Sequence, residues 1–242
     1  MNINNKTVLV TGGGSGIGLA IAKQLSERNN KVIITGRRAE TLQAAAATLT
    51  NVTAIAADVT NEDDVKRLVA TIQADFGGLD VLINNAGFAH YYSIDADSNT
   101  YKKGLEEFNT NFFSILNLTE QLLPVLHKSA EAAVVNVSSI LALVPRSTIP
   151  TYSASKAALH SYTQSLRFAL KDTNVKVFEL MPPLVNTDFS KEIGGENGIA
   201  PSQVANDLIS AFENDSYQIH VGDTAHIYAL SDSDRFNAIN AA

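Results

Sequence analysis

Short apolar runs rich in β-branched residues recur along this chain, and segments of helical period separate them. That alternation restricts the fold more than any other feature. The strand candidates are Thr7–Val10, Val32–Thr35, Thr53–Ala57, Val81–Asn84, Ala133–Val137, Val175–Leu180 and Tyr217–Val221. Helices are expected at about 16–28, 39–49, 61–76, 102–128, 152–171 and 202–213, with a further helix running to Asn240. Thr60-x-x-Asp63 reads as a capping box, and Asn29-Asn30 and Gly77-Gly78 read as helix stops. Strands that are apolar throughout, with helices between them, indicate an α/β fold. Its sheet is parallel, of about seven strands, and covered by helices on both faces. At 242 residues and 45% hydrophobic content, the chain is long enough to bury one large core, and no linker-like stretch divides it. One domain, 1–242, is the expectation. Such a sheet binds its ligands beyond the C-terminal ends of its strands, where the strand order reverses.

A net charge of −7 argues against a nucleic-acid or anionic-membrane partner. The absence of cysteine excludes disulfides, thiolate metal sites and cysteine nucleophiles. His90, His127, His160, His220 and His226 show no paired ligand spacing, so no catalytic metal is expected. The N-terminus lacks the basic and apolar stretches of a signal peptide, and no apolar run approaches the length of a membrane span. These features predict a soluble, cytoplasmic protein.

The first strand ends in Thr11-Gly12-Gly13-Gly14-Ser15-Gly16-Ile17-Gly18, and a helix follows at once. The spacing is G-x-x-x-G-x-G. Glycines allow a tight turn and close approach to a pyrophosphate, which free N–H groups at the helix N-terminus then meet. The second strand closes on Thr35-Gly36-Arg37-Arg38. Folds that bind NAD usually carry an acidic side chain at this position for the ribose hydroxyls. Here a glycine and two guanidinium groups suit a 2′-phosphate instead; the alternative is a solvated basic helix start. Asp58-Val59 ends the third strand, where a carboxylate can reach an adenine amino group, and Asn84-Asn85-Ala86-Gly87 ends the fourth.

Tyr152-Ser153-Ala154-Ser155-Lys156 places a tyrosine and a lysine four residues apart, on one face of a helix. A tyrosine titrates near pH 10 in water; an adjacent ammonium and a positive nicotinamide ring are expected to lower that value. Val135-Asn136-Val137-Ser138-Ser139 ends the fifth strand, and a hydroxyl there can polarise a substrate carbonyl. Each of these motifs is modest alone, and each is also met in ordinary turns and strand ends.

Taken together and in this order, the residues from about Lys6 to Thr187 resemble the short-chain dehydrogenase/reductase family. The resemblance is carried by Thr11–Gly18, Asp58, Asn84–Gly87, Asn111, Ser139, Tyr152, Lys156 and the stretch Pro182–Thr187. It implies a Rossmann-like, doubly wound fold and a catalytic tetrad of Asn111, Ser139, Tyr152 and Lys156. Tyr152 would exchange the proton and Ser139 would hold the carbonyl. Lys156 would bind the nicotinamide ribose and lower the tyrosine pKa, and Asn111 would hold a water linking Lys156 to solvent. The residues alone would place Asn111 on a helix surface. Cofactor contacts are expected from Gly12, Ser15, Gly16, Ile17 and Gly18, then from Arg37, Arg38, Asp58, Val59, Asn85 and Gly87. Tyr152, Lys156, Pro182, Val185 and Thr187 complete that set.

Two departures stand out. Where the family usually has Pro-Gly, this chain has Pro182-Pro183, which removes an amide donor beside the nicotinamide. The same pair is similar to a subgroup loosely associated with teichoic-acid D-alanylation, a pathway rather than a substrate. The C-terminal part also departs, so the resemblance says least about the tail.

The resulting expectation is an NADP(H)-preferring oxidoreductase that interconverts a ketone or aldehyde and an alcohol. The pocket is expected between Ser139–Arg146, the loop after Gly87 and Leu184–Ala200. Phe88, Tyr91, Tyr92, Leu141, Leu143, Leu184 and Phe189 form its candidate lining, which suits a hydrophobic or aryl ketone, although half of them can equally be core. The rivals are an isomerase or dehydratase on the same fold, and a regulatory protein that binds NADP without turnover. Glycines 194, 195 and 198 predict a mobile lid at about 186–200 with little structure of its own. Apolar stripes at Leu105, Phe108, Phe112, Leu116 and Leu123, and at Leu159, Tyr162, Leu166 and Phe168, cannot all face one sheet. They predict a two-fold helix bundle in a homodimer or homotetramer.

Overall fold

A computed structural model of the chain describes residues 1–240. Its strands are β1 (Thr7–Thr11), β2 (Lys31–Gly36), β3 (Val52–Ala56), β4 (Val81–Asn84), β5 (Ala132–Val137), β6 (Val175–Met181) and β7 (Gln218–His220). They form one parallel sheet in the order β3-β2-β1-β4-β5-β6-β7. Successive side chains of a strand point to opposite faces, and both faces are covered. Val8, Val10, Val32 and Ile34 enter one core; Leu9, Ile33 and Leu82 enter the other. Each fully buried aliphatic side chain contributes about 1.5–3 kcal/mol, which is why runs of Val, Ile and Leu end up at the centre.

The helices on the two faces are α1 (Gly16–Ser26), α2 (Ala39–Ala47), α3 (Glu62–Phe76), α4 (Thr100–Phe108), α5 (Ser114–Leu126), α6 (Pro150–Ala169) and α7 (Pro201–Asn214). Two further helices, α8 (Thr224–Ala229) and α9 (Asp232–Asn240), stand where the sequence pattern predicts one. The expected capping box at Thr60 is not formed. The Thr60 hydroxyl donates to Asp58 instead, at 2.8 Å, and Asn61 caps α3 by accepting from the Asp63 and Asp64 amides, each at 3.0 Å. Gly77 ends α3 in the left-handed region, φ 74°, as its glycine suggests.

The helix expected at 102–128 is interrupted. Residues Asn109–Phe113 form a π turn between α4 and α5. One extra residue per turn shifts the helix face, and such turns recur at functional sites. The shift buries Asn111 completely while leaving Leu105 and Phe113 each 52% exposed. A strict 3.6 period therefore puts Asn111 on the wrong face. In α6, Leu159 and Leu166 are buried in this chain's own interior, so they do not belong to an outward stripe; Phe168 is 71% exposed and does.

Candidate functional site

Reversal of the strand order lies between β1 and β4, and a cavity of about 960 Å³ opens there above the strand C-termini. At one end the turn after β1 lines it with Gly12, Gly14, Ser15, Gly16 and Ile17. Gly12 adopts φ +64°, a conformation that side chains rarely take. Gly18 does not line the cavity. It lies beneath the turn, where a Cβ would collide with the Gly12 carbonyl oxygen, so its glycine serves close packing of α1 on the turn. Ser15 stands at the N-cap of α1 without using its side chain to cap it. The first amides of α1 thus remain available donors beside a concave, glycine-lined wall, which suits a pyrophosphate.

Arg37 and Arg38, at the end of β2, line the same wall, and neither guanidinium is hydrogen-bonded or ion-paired among the described residues. Asp58, Val59, Asn85 and Gly87 follow along the strand ends. One carboxylate oxygen of Asp58 already accepts from the Thr60 amide at 2.9 Å. The Asn85 side chain donates to the Thr11 carbonyl at 2.9 Å and holds the turn against β4. The residues present fit a nicotinamide dinucleotide: donors for the diphosphate at one point, free cations at the adenosine end, and small residues between.

Past the switch point, Ser139, Tyr152 and Lys156 line the cavity together with Pro182, Val185 and Thr187. Pro150 opens α6 at its first turn, where the missing N–H costs nothing, and sets Tyr152 two residues in. The Tyr152 ring is nearly buried and lies 5.8 Å, centroid to centroid, from Phe189. The Lys156 ammonium is 5.6 Å from the centre of that ring and donates to the Val137 carbonyl at 2.8 Å.

Burial pushes the Tyr152 phenol well above its ordinary value; the nearby Ser139 hydroxyl partly opposes this, and the Glu107 charge adds to it. The lowering expected from the lysine is therefore not produced by the chain alone: desolvation dominates, and the influence opposing it is the Ser139 hydrogen bond. Lys156 is pushed down to about 8 by burial, against the opposing charge of Glu179. An uncharged phenol beside a lysine that titrates near neutrality can donate a proton and then hold the resulting phenolate.

Asn111 does not reach the cavity surface. Its amide clamps the loop after β4: Nδ2 donates to the Phe88 carbonyl at 2.9 Å, and Oδ1 accepts from the Phe88 amide at 3.0 Å. Nδ2 also donates to Ser155 Oγ at 3.1 Å, which ties it to α6 between Tyr152 and Lys156. One helical turn earlier, the buried Glu107 accepts from the His90 amide at 2.7 Å. Glu107 is invisible to pattern analysis, because an acidic residue on a surface-type helix carries no signal of burial.

The same holds for Glu179. This carboxylate is fully buried in β6, accepts from Ser138 Oγ at 2.6 Å and pairs with His160 at 2.9 Å. Ser138 adjoins Ser139, and His160 lies one helical turn beyond Lys156. Glu179 thereby joins the strand and the helix that present the two cavity residues.

Of the expected substrate lining, Phe88, Leu141, Leu184 and Phe189 face the cavity, whereas Tyr91, Tyr92 and Leu143 do not. Tyr92 points away, its hydroxyl bonded to Thr151 at 2.8 Å and its ring under the Lys103 ammonium. Tyr91 is exposed to solvent, and Leu143 is half-buried in the turn beyond Ala142. In their place α8 and α9 contribute Ile227, Ala238 and Ile239. No pattern in the tail pairs these residues with Tyr152, since only the chain's path back across the site brings them there. The expected lid has more structure than its glycines suggest: 3-10 turns at Asp188–Ile193 and Gly195–Asn197, with Val185 bridged to Ile199. The buried Ser190 hydroxyl, donating to the Val185 carbonyl, pins the segment.

No helix among the described residues is long and apolar enough to cross a membrane. Residues 6–198 match the family model for short chain dehydrogenase. The chain is 39% identical over 206 residues to the uncharacterized oxidoreductase DltE of Bacillus subtilis (strain 168), a match spanning 82% of this chain and 79% of that protein. An uncharacterized oxidoreductase of Staphylococcus aureus (strain USA300) is 35% identical over 191 residues, 76% of this chain and 80% of the relative. Among solved structures, a short chain dehydrogenase from Burkholderia cenocepacia in complex with NADP superposes with a TM-score of 0.86. It is 26% identical, and the match covers 98% of each chain. A short chain dehydrogenase/reductase from Burkholderia phymatum in complex with NAD gives 0.85 at 21% identity, covering 90% of this chain and 89% of the other, and shares the fold. With the sheet order, the glycine-lined turn and the sequence matches in agreement, the chain belongs to the short-chain dehydrogenase/reductase family of oxidoreductases.

Proposed function

We propose that this protein is an NADP(H)-dependent carbonyl reductase or alcohol dehydrogenase, in which all of 1–242 forms one cofactor-binding and catalytic domain. The observation that carries this reading is a single cavity with two arginines, unpaired among the described residues, at one end and Ser139, Tyr152 and Lys156 at the other. A nicotinamide cofactor bound there supplies or accepts the hydride. Ser139 orients the substrate oxygen, and Tyr152 delivers a proton to it as the carbonyl is reduced. Lys156 stabilises the phenolate left behind and would hydrogen-bond the ribose of the bound cofactor. Asn111 acts from behind by fixing the loop at Phe88 and the backbone turn between Tyr152 and Lys156. The apolar wall of Ile140, Leu141, Ile149, Phe189 and Ile227 favours hydrophobic or aryl ketones. The test is NADPH consumption with a panel of aryl ketones. Oxidation of NADPH with formation of the alcohols supports the reading, and binding without turnover across the panel contradicts it.

The lysine sets a pH dependence. Ketone reduction requires the ammonium, so kcat/KM is expected to fall as pH rises through the Lys156 value near 8. Glu179 opposes the burial that lowers this value. Glu179→Gln removes the opposing charge and is expected to move the alkaline limb to lower pH. An unmoved limb in a folded variant shows that Glu179 does not support the ammonium.

Two further proposals concern assembly and closure. Leu105, Phe113 and Phe168 leave an apolar helical face open, and we assign it to a homodimer or homotetramer, probed by light scattering at micromolar concentration. A monomer there contradicts it. The segment 186–200 acts as a lid over the cavity, and its amide exchange is expected to slow when NADPH is added; unchanged exchange rules the lid out. We propose a cytoplasmic location, where the proposed cofactor is supplied.

A further inference from the structure

The chain has seven arginines, and their guanidinium groups divide cleanly by position. Arg28 donates to Gln24, Arg67 to Asp64, Arg167 to the Val177 and Tyr217 carbonyls, and Arg235 to the Ile227 and Tyr228 carbonyls. None of these four lines the cavity. The other three do, namely Arg37, Arg38 and Arg146, and none of their guanidiniums has a partner among the described residues. Arg37 and Arg38 are exposed, whereas Arg146 is half-buried; a guanidinium carries five donors and a fixed charge, and leaving that of Arg146 unmatched beside apolar surface is unfavourable. Arg37 and Arg38 stand at the adenosine end, where the proposed cofactor supplies a 2′-phosphate. Arg146 stands at the opposite end, where the substrate goes.

Its position is built rather than incidental. The Arg146 amide donates to Ser153 Oγ at 3.3 Å, beside Tyr152, and its carbonyl accepts from Ile149 at 3.2 Å. On either side of it, Asn240 of α9 donates to the Pro145 carbonyl at 2.9 Å and accepts from the Ser147 amide at 3.1 Å. The loop bearing Arg146 is thus fixed to both the Tyr152 helix and the helix that roofs the pocket. Between Tyr152 and this loop the wall is apolar: Ile140, Val144 and Ile149 pack there, with Ile227 and Ile239 across from them. The carboxylates that line the cavity, Asp58, Asp188 and Asp223, make no ion pair with Arg146, and Asp188 and Asp223 are exposed at the rim.

From this geometry we infer that Arg146 is a specificity-determining residue that takes a carboxylate at the end of the substrate remote from the reacting carbonyl. The substrate class is an aryl or otherwise apolar ketone bearing one carboxylate, or the matching hydroxy acid. One guanidinium matches one carboxylate as a planar fork, whereas the paired arginines at the other end match a phosphate. The inference rests on the carbonyl-reductase reading, and it names the substrate within that reading.

The test compares 4-acetylbenzoate with its methyl ester, using the full chain and NADPH, in the wild type, Arg146→Leu and Arg146→Lys. Calorimetric binding of both compounds to the NADP-loaded protein runs alongside. The wild type is expected to favour the carboxylate in kcat/KM by roughly 10- to 150-fold, the range of a charge-assisted contact. Most of that is expected in KM. Arg146→Leu is expected to erase the preference for the carboxylate over the ester, and Arg146→Lys to restore part of it. Equal use of the two compounds by the wild type overturns the inference. So does an Arg146→Leu variant that loses both substrates equally while melting at the wild-type temperature. If neither compound is reduced but the carboxylate binds and Arg146→Leu abolishes that binding, the anion site stands and the reductase reading falls. If neither binds nor reacts while neutral ketones are turned over, the reductase reading stands and the anion site falls.

Discussion

Tyr152→Phe is expected to lower turnover of ketones by at least about 100-fold, the lower range of a general acid–base contribution, while NADP(H) affinity stays nearly unchanged. The ring is held by the apolar cluster of Ile140, Leu141, Val144 and Ile149, and by Phe189, none of which touches the hydroxyl's chemistry. Losing the hydroxyl removes the proposed proton donor and leaves the packing. Because burial holds the phenol above its ordinary value, the wild-type group stays protonated across the neutral range, the state that reduction requires. The check pairs steady-state kinetics with fluorescence titration of NADPH. A variant that keeps more than about a hundredth of the wild-type rate shows that another group delivers the proton.

The second large effect is on cofactor choice. Gly36 presents no carboxylate to a ribose 2′-hydroxyl, and Arg37 and Arg38 line the cavity wall with no partner among the described residues. One charge-assisted contact to a 2′-phosphate corresponds to roughly a 10- to 150-fold preference for NADPH over NADH in kcat/KM. The double variant Gly36→Asp with Arg37→Ala is expected to invert that order. The site tolerates the added side chain: a Cβ on Gly36 meets only Leu42, at 3.8 Å, and the backbone there is not in the left-handed region. Solved structures of similar fold include both an NADP and an NAD complex, so the expected preference is argued from these two arginines and not from the fold. Equal use of the two cofactors by the wild type, or a double variant that still prefers NADPH, places phosphate recognition elsewhere.

Much of the fold is legible in the amino-acid sequence alone. Period-2 burial on a sheet covered from both sides writes itself as unbroken Val, Ile and Leu runs, which is why the strands fall within a residue or so of their expected limits. The glycine turn, Arg37, Arg38, Ser139, Tyr152 and Lys156 are legible as cavity residues because the roles proposed for them need particular residue types at strand ends or helix starts. The features that are not legible depend on geometry with no local period. The π turn moves Asn111 inside, although a regular helix would expose it. Gly18 sits in the motif yet serves packing on Gly12. Tyr92 sits in the expected pocket loop but turns to Thr151 and Lys103. Glu107 and Glu179 are acidic residues whose burial depends on partners far along the chain, and α9 is held at the pocket by Asn240 on residues 145–147, by Ile239 in the apolar cluster and by Arg235 on α8.

The central claim is that this cavity passes a hydride to a carbonyl carbon while Tyr152 passes a proton to its oxygen. Its most direct test is to incubate the protein with an aryl ketone and NADPH deuterated on the transferable C4 position, then locate the label by mass spectrometry. The account predicts one deuterium on the carbinol carbon of the alcohol in the wild type, and at least about 100-fold less labelled alcohol over the same time in Tyr152→Phe. Labelled alcohol formed equally well by Tyr152→Phe, or oxidation of NADPH with no deuterium on the product, would contradict it.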